Sequence, residues 1–83
     1  MSIRGYILIE TEVGRTEAVG SAVRELSSEF ATVSAVDTVT GPFDVIVQLE
    51  ADDLDQLGKC ITEDIQGIGG VQRTTTCLAV SLI

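Results

Sequence analysis

The 83 residues carry 13 acidic against 5 basic side chains, a formal net charge of −8, and no histidine. That balance excludes a direct phosphate-backbone binder, which needs a clustered basic patch, and the missing histidine removes Ser–His and Cys–His nucleophile pairs. A chain this short is expected to form one domain over residues 1–83 and to bury only roughly 60–65% of its unfolded surface, so subunit association should add stability.

The opening stretch, residues 3–10, alternates, with Ile3, Ile7 and Ile9 on one side and Tyr6, Leu8 and Glu10 on the other, which is the period of a strand. Its start, MSIRGYILIE, lacks the long apolar run of a signal peptide, and no stretch of the chain approaches the ~20 apolar residues of a membrane span. A cytoplasmic protein with no membrane partner is expected. TEVG closes the strand, and a helical stripe of Val19, Ala22, Val23, Leu26 and Phe30 follows, with Arg15, Glu17, Arg24 and Glu25 outside it. A second strand is expected over 33–40, where β-branched residues are dense, and a third over 43–50. TGP between them makes the pair a hairpin.

Asp52 and Asp55 have N-cap and first-turn chemistry for a second amphipathic helix carrying Leu54, Leu57, Ile61, Ile65 and Ile68. Gly67, Gly69 and Gly70 end it, and a last strand is expected from 71 to about 82. GIGGV has the composition of a phosphate loop, but it ends a helix where phosphate binding needs one to begin. Cys60 and Cys77 lack metal-ligand spacing, so no metal and no cofactor are expected; both read as small buried side chains in a reducing compartment.

The order is βαβ followed by βαβ, which makes the fold class α+β: a ferredoxin-like split arrangement with two helices on one face of a four-stranded antiparallel sheet. The other sheet face should then be polar, yet the strands are apolar on both sides: Ile7 and Ile9 against Tyr6 and Leu8, Val45, Val47 and Leu49 against Ile46, and Leu78, Val80 and Leu82 against Cys77 and Ala79. The economical cover is a second copy packed sheet to sheet, giving at least a homodimer.

Two short runs carry the candidate chemistry. In TGPFD, residues 40–44, the plain reading is a turn, with Gly41 taking a conformation it alone tolerates, Pro42 stiffening it and Phe43 entering the core. The functional reading is that Gly41 lets a ligand approach the backbone, Phe43 forms a wall and Asp44 offers a carboxylate to an ammonium group. In RTTTC, residues 73–77, threonines suit a strand. Alternatively the Thr74 and Thr76 hydroxyls, on one face, donate to a carboxylate or amide, which together with Asp44 would suit a zwitterion. The acidic pairs Glu10/Glu12 and Glu63/Asp64 and the group Asp52/Asp53/Asp55 fall at strand ends or helix faces, where solvation or capping explains them better than acid–base catalysis.

YILIETEVG, the hairpin TGPFDVIV and the run LDQLGKCITEDIQGIGGVQRTTT, in that order, resemble the effector-binding domain of the Lrp/AsnC (leucine/asparagine-responsive) regulators, also called the regulation-of-amino-acid-metabolism domain, over essentially the whole chain. The resemblance implies a ferredoxin-like fold that dimerises through its sheets, assembles into octamers or similar rings of dimers, and holds a free amino acid effector between dimers. Gly41, Phe43 and Asp44 match the family's glycine–aromatic–aspartate hairpin, and Thr74 and Thr76, after Gly70 and Val71, match its threonine pair. Phe43 stands where tyrosine is frequent in the family, which removes a hydroxyl contact.

The helix-turn-helix domain of full-length members has no counterpart before the first strand, so no direct contact with nucleic acid is expected. The resemblance therefore implies a stand-alone effector module linked to transcription and not an enzyme. Two other readings are an assembly partner of helix-turn-helix Lrp/AsnC paralogues that binds no ligand, and an enzyme of the dimeric α/β-barrel type. Enzymes of that type commonly rely on histidine, which this chain lacks.

Overall fold

The computed structural model describes residues 2–80. Four strands, β1 (Ile3–Thr11), β2 (Thr32–Thr38), β3 (Val45–Ala51) and β4 (Val71–Leu78), form one antiparallel sheet in the order β2-β3-β1-β4. Helix α1 (Thr16–Arg24) joins β1 to β2. Helix α2 (Leu54–Lys59) follows β3 and runs on as a π-helix over Cys60–Ile65. The expected split βαβ arrangement is therefore present, with the two middle strands, β1 and β3, contributed by different halves of the chain.

Alternation explains the core. Ile7 and Ile9 of β1 and Val45, Val47 and Leu49 of β3 are wholly buried, and they meet Val19 and Val23 of α1 and Leu57, Cys60 and Ile65 from the second helical stretch. Fully burying such a side chain contributes about 1.5–3 kcal/mol, so these ten positions supply most of the driving force for the helices to settle on this face.

Several elements depart from the sequence expectation in informative ways. Helix α1 stops at Arg24, so Leu26 and Phe30 pack against the core from the connecting segment and not from the helix. The cap of α2 is Asp53 and not Asp52: Asp53 Oδ1 accepts from the Gln56 amide at 2.8 Å. Leu54, assigned to the apolar stripe, is more than half exposed, because the first helical residue faces away from the sheet. The second helix, expected to be α-helical throughout, is wider in its second half: Gln66 N–H donates to Ile61 O at 2.9 Å, five residues back. Thr62 Oγ1 donates to Gly58 O at 3.0 Å, and a hydroxyl competing for that carbonyl loosens the α-helical ladder.

The outer sheet face is more mixed than expected. Leu8 and Ile46 are register partners and Tyr6 lies beside Cys77, forming a half-exposed apolar band. The same face carries Gln48 and Glu50 on β3, Arg73 and Thr75 on β4, and Asp37 on β2. Cys77, expected to be buried, is exposed there, since β4 is an edge strand and nothing among the described residues covers it. Leu78 stands on the helix-side face opposite Gly5 and is 46% exposed, Val80 is exposed, and Leu82 lies outside the described residues.

Candidate functional site

Asp44 sits at the entry to β3, where the hairpin meets the end of β1. Its amide donates to Ile9 O and its carbonyl accepts from Val39 N–H, both at 2.9 Å, so the backbone at this point continues the sheet on both sides. The carboxylate is engaged as well. Asp44 Oδ2 accepts from the Thr11 amide at 2.8 Å and from the Thr11 hydroxyl at 3.0 Å. Thr11 Oγ1 and Thr16 Oγ1 lie 2.8 Å apart. A hydroxyl has one proton, and that of Thr11 goes to Asp44, so Thr16 is the donor to Thr11. One carboxylate thereby ties together the hairpin, the end of β1 and the first residue of α1. Sequence reasoning missed Thr11; its place at the strand end, as the first residue of TEVG, was the only signal for it.

Gly41 has φ +147°, a backbone conformation that favours glycine, and an added Cβ there would meet nothing within 4 Å. Both sequence readings of Gly41 fit this geometry: the turn needs glycine and the backbone is open to approach. Phe43 is half-buried and stays outside the core cluster.

Thr74 and Thr76 share a face, as alternation predicts, opposite Ile9 and Ile7 on the helix side of the sheet. Thr74 Oγ1 accepts from Gln66 Nε2 at 2.9 Å, so the residue ending the π-helical stretch reaches over the β4 edge. Beside this bond lies a cleft of about 400 Å³ lined by Gln66, Val71, Gln72, Arg73 and Thr74. Neither Gln66 nor Arg73 was singled out from sequence, although Arg73 opens the RTTTC run. Thr76 lies two residues further along the strand and is absent from the cleft lining.

Within the chain the hairpin and the threonines lie on strands that flank β1. Val45 pairs with Ile9, and Ile9 pairs with Thr74. At about 4.8 Å per strand spacing, the Thr74 backbone stands about 10 Å from the start of β3, while the Asp44 carboxylate reaches back to Thr11 of β1, the strand between them. The two groups do occupy the same end of the sheet.

The remaining titratable feature is Cys60. Burial pushes its thiol above the ordinary value, Asp64's charge adds to this, and a hydrogen bond with Ser28 works against it. A thiol held protonated in the core is a packing group and not a nucleophile. Among the described residues no group of three or more His, Cys, Asp or Glu side chains is placed to hold a metal ion. None of the described helices is long and apolar enough to cross a membrane.

The model of the Lrp/AsnC ligand binding domain matches residues 4–83. Among solved structures, TTHA0845 from Thermus thermophilus is 33% identical, covering 98% of this chain and 96% of that one with a TM-score of 0.85. PHS023 from Pyrococcus horikoshii is 29% identical over 96% of this chain and 92% of that one, with a TM-score of 0.81. The transcriptional regulator NMB0573 from Neisseria meningitidis, solved as a complex with L-Met, shares the fold at 16% identity and a TM-score of 0.80; the chain spans about half of it, 51%. No curated protein matches the chain. A matched family model over nearly every residue, and a relative one-third identical across both full lengths, lead to one conclusion: the chain belongs to the Lrp/AsnC ligand binding domain family.

Proposed function

We propose that the chain acts as an amino-acid sensor of the Lrp/AsnC type: it dimerises sheet to sheet, holds a free amino acid between dimers and influences transcription without itself touching DNA. It works in the cytoplasm and catalyses no reaction. The observation that carries this reading is the cleft beside Thr74 in a member of a ligand-binding family, lined by side chains that donate hydrogen bonds. The Neisseria regulator with L-Met bound supports an amino acid as the effector class. Asp44 and Thr74 stand at the same end of the sheet, which supports an effector held near that end. The net charge of −8 supports a role away from the nucleic acid.

Thermal unfolding followed by circular dichroism against a panel of free amino acids tests the sensor. A ligand at ~100 times its dissociation constant adds about 2.7 kcal/mol per site, and each kcal/mol raises the midpoint by about 4–8 °C in a domain of this size. A selective rise for one or two amino acids is the expected result. A flat response across the panel rejects the sensor in favour of an assembly partner of full-length regulators.

The sheet-to-sheet arrangement makes a separate prediction. The band of Tyr6, Leu8 and Ile46 should hold dimers or larger assemblies together in dilute solution, and Leu8→Lys should shift the mass measured by light scattering toward the monomer. A wild-type monomer would remove that part of the proposal.

A further inference from the structure

The segment that joins α1 to β2, residues 27–31, is fastened differently from the helix and strand it connects. Among the described residues it gives and receives no backbone–backbone hydrogen bond, although Glu25 and Leu26 before it still bond back to α1 and Thr32 after it pairs with Glu50. Phe30 and Ala31 rest half-buried on the core, while Ser27 and Glu29 are exposed. The main polar fastening is one side chain. Ser28 Oγ donates to Asp64 Oδ2 at 2.5 Å, joining residues 36 positions apart, and accepts from the Phe30 amide at 3.0 Å. Lys59 Nζ lies 6.0 Å from the centre of the Phe30 ring, a weaker contact.

Beneath this latch lies Cys60, wholly buried, whose thiol hydrogen-bonds with the same Ser28. Clefts open on both flanks of the segment. One, of about 180 Å³, reaches toward Glu50 and Asp52; the other, of about 250 Å³, reaches toward Arg24, and Ser28 borders both.

We infer that residues 27–31 form a gate over Cys60: the segment opens as a local unit while the sheet stays folded, and the open state admits small thiol-reactive molecules to Cys60. The gate does not depend on the sensor reading. A segment opens at low cost when it has few backbone bonds to break and little apolar surface to expose. Here opening breaks the Ser28–Asp64 bond and lifts two half-buried apolar side chains, whereas Ile7, Ile9, Val45 and Val47 lie on other elements and keep their strand pairing. The Ser28 bond is the decisive contact, because a carboxylate acceptor makes it roughly twice as strong as a neutral pair. In the closed state the thiol is the packing group described above; in the open state it meets water and reacts as an ordinary thiol.

Cys77→Ser leaves Cys60 as the only thiol of the chain, and dithiodipyridine, a small neutral disulfide, reads its exposure. The Cys60 sulfur attacks the S–S bond of the reagent, a mixed disulfide forms, and thiopyridone leaves with the thiol proton, which changes the absorbance. The rate is followed in the full chain from zero to denaturing urea. The expected result is a rate nearly flat at low urea, since a local opening exposes little surface, that rises steeply only where the whole chain unfolds. Ser28→Ala should raise the flat rate about tenfold or more, through loss of a hydrogen bond to a charged group. Asp64→Asn keeps an acceptor for Ser28 and should raise it by a smaller factor. Gly14→Ala, which lowers global stability from the opposite end of α1, should leave the flat rate unchanged.

A rate that climbs with urea from the first addition, in step with global unfolding, overturns the gate. So does an equal acceleration by Ser28→Ala and Gly14→Ala, or a Cys60 that does not react below the unfolding transition. Should Ser28→Ala not fold, the urea profile of the Cys77→Ser chain and the Asp64→Asn rate carry the same decision.

Discussion

Asp44→Ala should lower the stability of the protein by about 1.5–3 kcal/mol, the range for a hydrogen bond to a charged group, and so reduce the unfolding midpoint by roughly 6–24 °C at about 4–8 °C per kcal/mol. The reason is geometric. Asp44 Oδ2 accepts both the amide and the hydroxyl of Thr11, and Thr11 is only 9% exposed. Removing the carboxylate leaves a largely buried backbone N–H without its partner and frees the Thr11–Thr16 pair that anchors the start of α1. Asp44→Asn should behave differently, since an amide oxygen still accepts from Thr11, and most of the loss should be restored.

The pair of variants separates the ammonium-binding role suggested by the sequence from the structural role of the Asp44–Thr11 contact. If Asp44 also meets an ammonium group, Asp44→Asn should fold well and bind an amino acid poorly. If its role is only to hold the hairpin, Asp44→Asn should bind normally. Melting curves with and without a bound amino acid distinguish these outcomes, whereas Asp44→Ala alone confounds loss of binding with loss of fold.

Gly70→Ala is expected to cost about 2–6 kcal/mol, from two sources that add. Gly70 has φ +101°, where an L side chain is strained by about 1–3 kcal/mol. An added Cβ would also lie 2.9 Å from Arg15 Cβ and 3.0 Å from Val19 Cγ2, an overpacking cost of typically 1–3 kcal/mol. Val19 is wholly buried, so it has little room to retreat. The Gly70 carbonyl accepts from Glu12 N–H at 2.8 Å, which fixes the start of β4 against the turn before α1. Gly14 provides the control: its φ is +81°, but an added Cβ would meet nothing within 4 Å. Gly14→Ala should therefore show the conformational cost alone, and chemical denaturation of the two variants would measure the difference. Equal losses would show that the contact with α1 does not matter.

Much of the fold was legible because its signals are local. The period-two runs through Ile7 and Ile9 and through Val45, Val47 and Leu49 determine both strand identity and which face is buried, and glycine-rich breaks mark the ends. Helix α1 reads too long in the sequence because Leu26 and Phe30 keep helical spacing while packing from a connecting segment; spacing reports which side chains are buried but not the backbone path between them. The π-helical turn was invisible because it depends on one hydroxyl choosing the Gly58 carbonyl, and periodicity does not register such a choice.

The candidate site was legible only in part. Gly41, Phe43, Asp44, Thr74 and Thr76 were found as residue types in suggestive runs. What Asp44 touches, and that Gln66 reaches Thr74, follow from residues 33 and 8 positions apart being brought together by the sheet.

The strand order also governs when this chain can begin to fold. β1 is made first but lies in the middle of the sheet, and its two neighbours are β3 and β4, more than thirty residues downstream. Until about residue 51 has emerged from the ribosome, the Ile7 and Ile9 side chains have no strand to pair beside, and the Asp44–Thr11 latch has only one half. Closing loops of that length before any long-range contact compensates for the lost entropy slows folding. A strand carrying Ile3, Ile7, Leu8 and Ile9 therefore waits longest for its neighbours. The charged Arg4 and Glu10 side chains within it protect it during that interval.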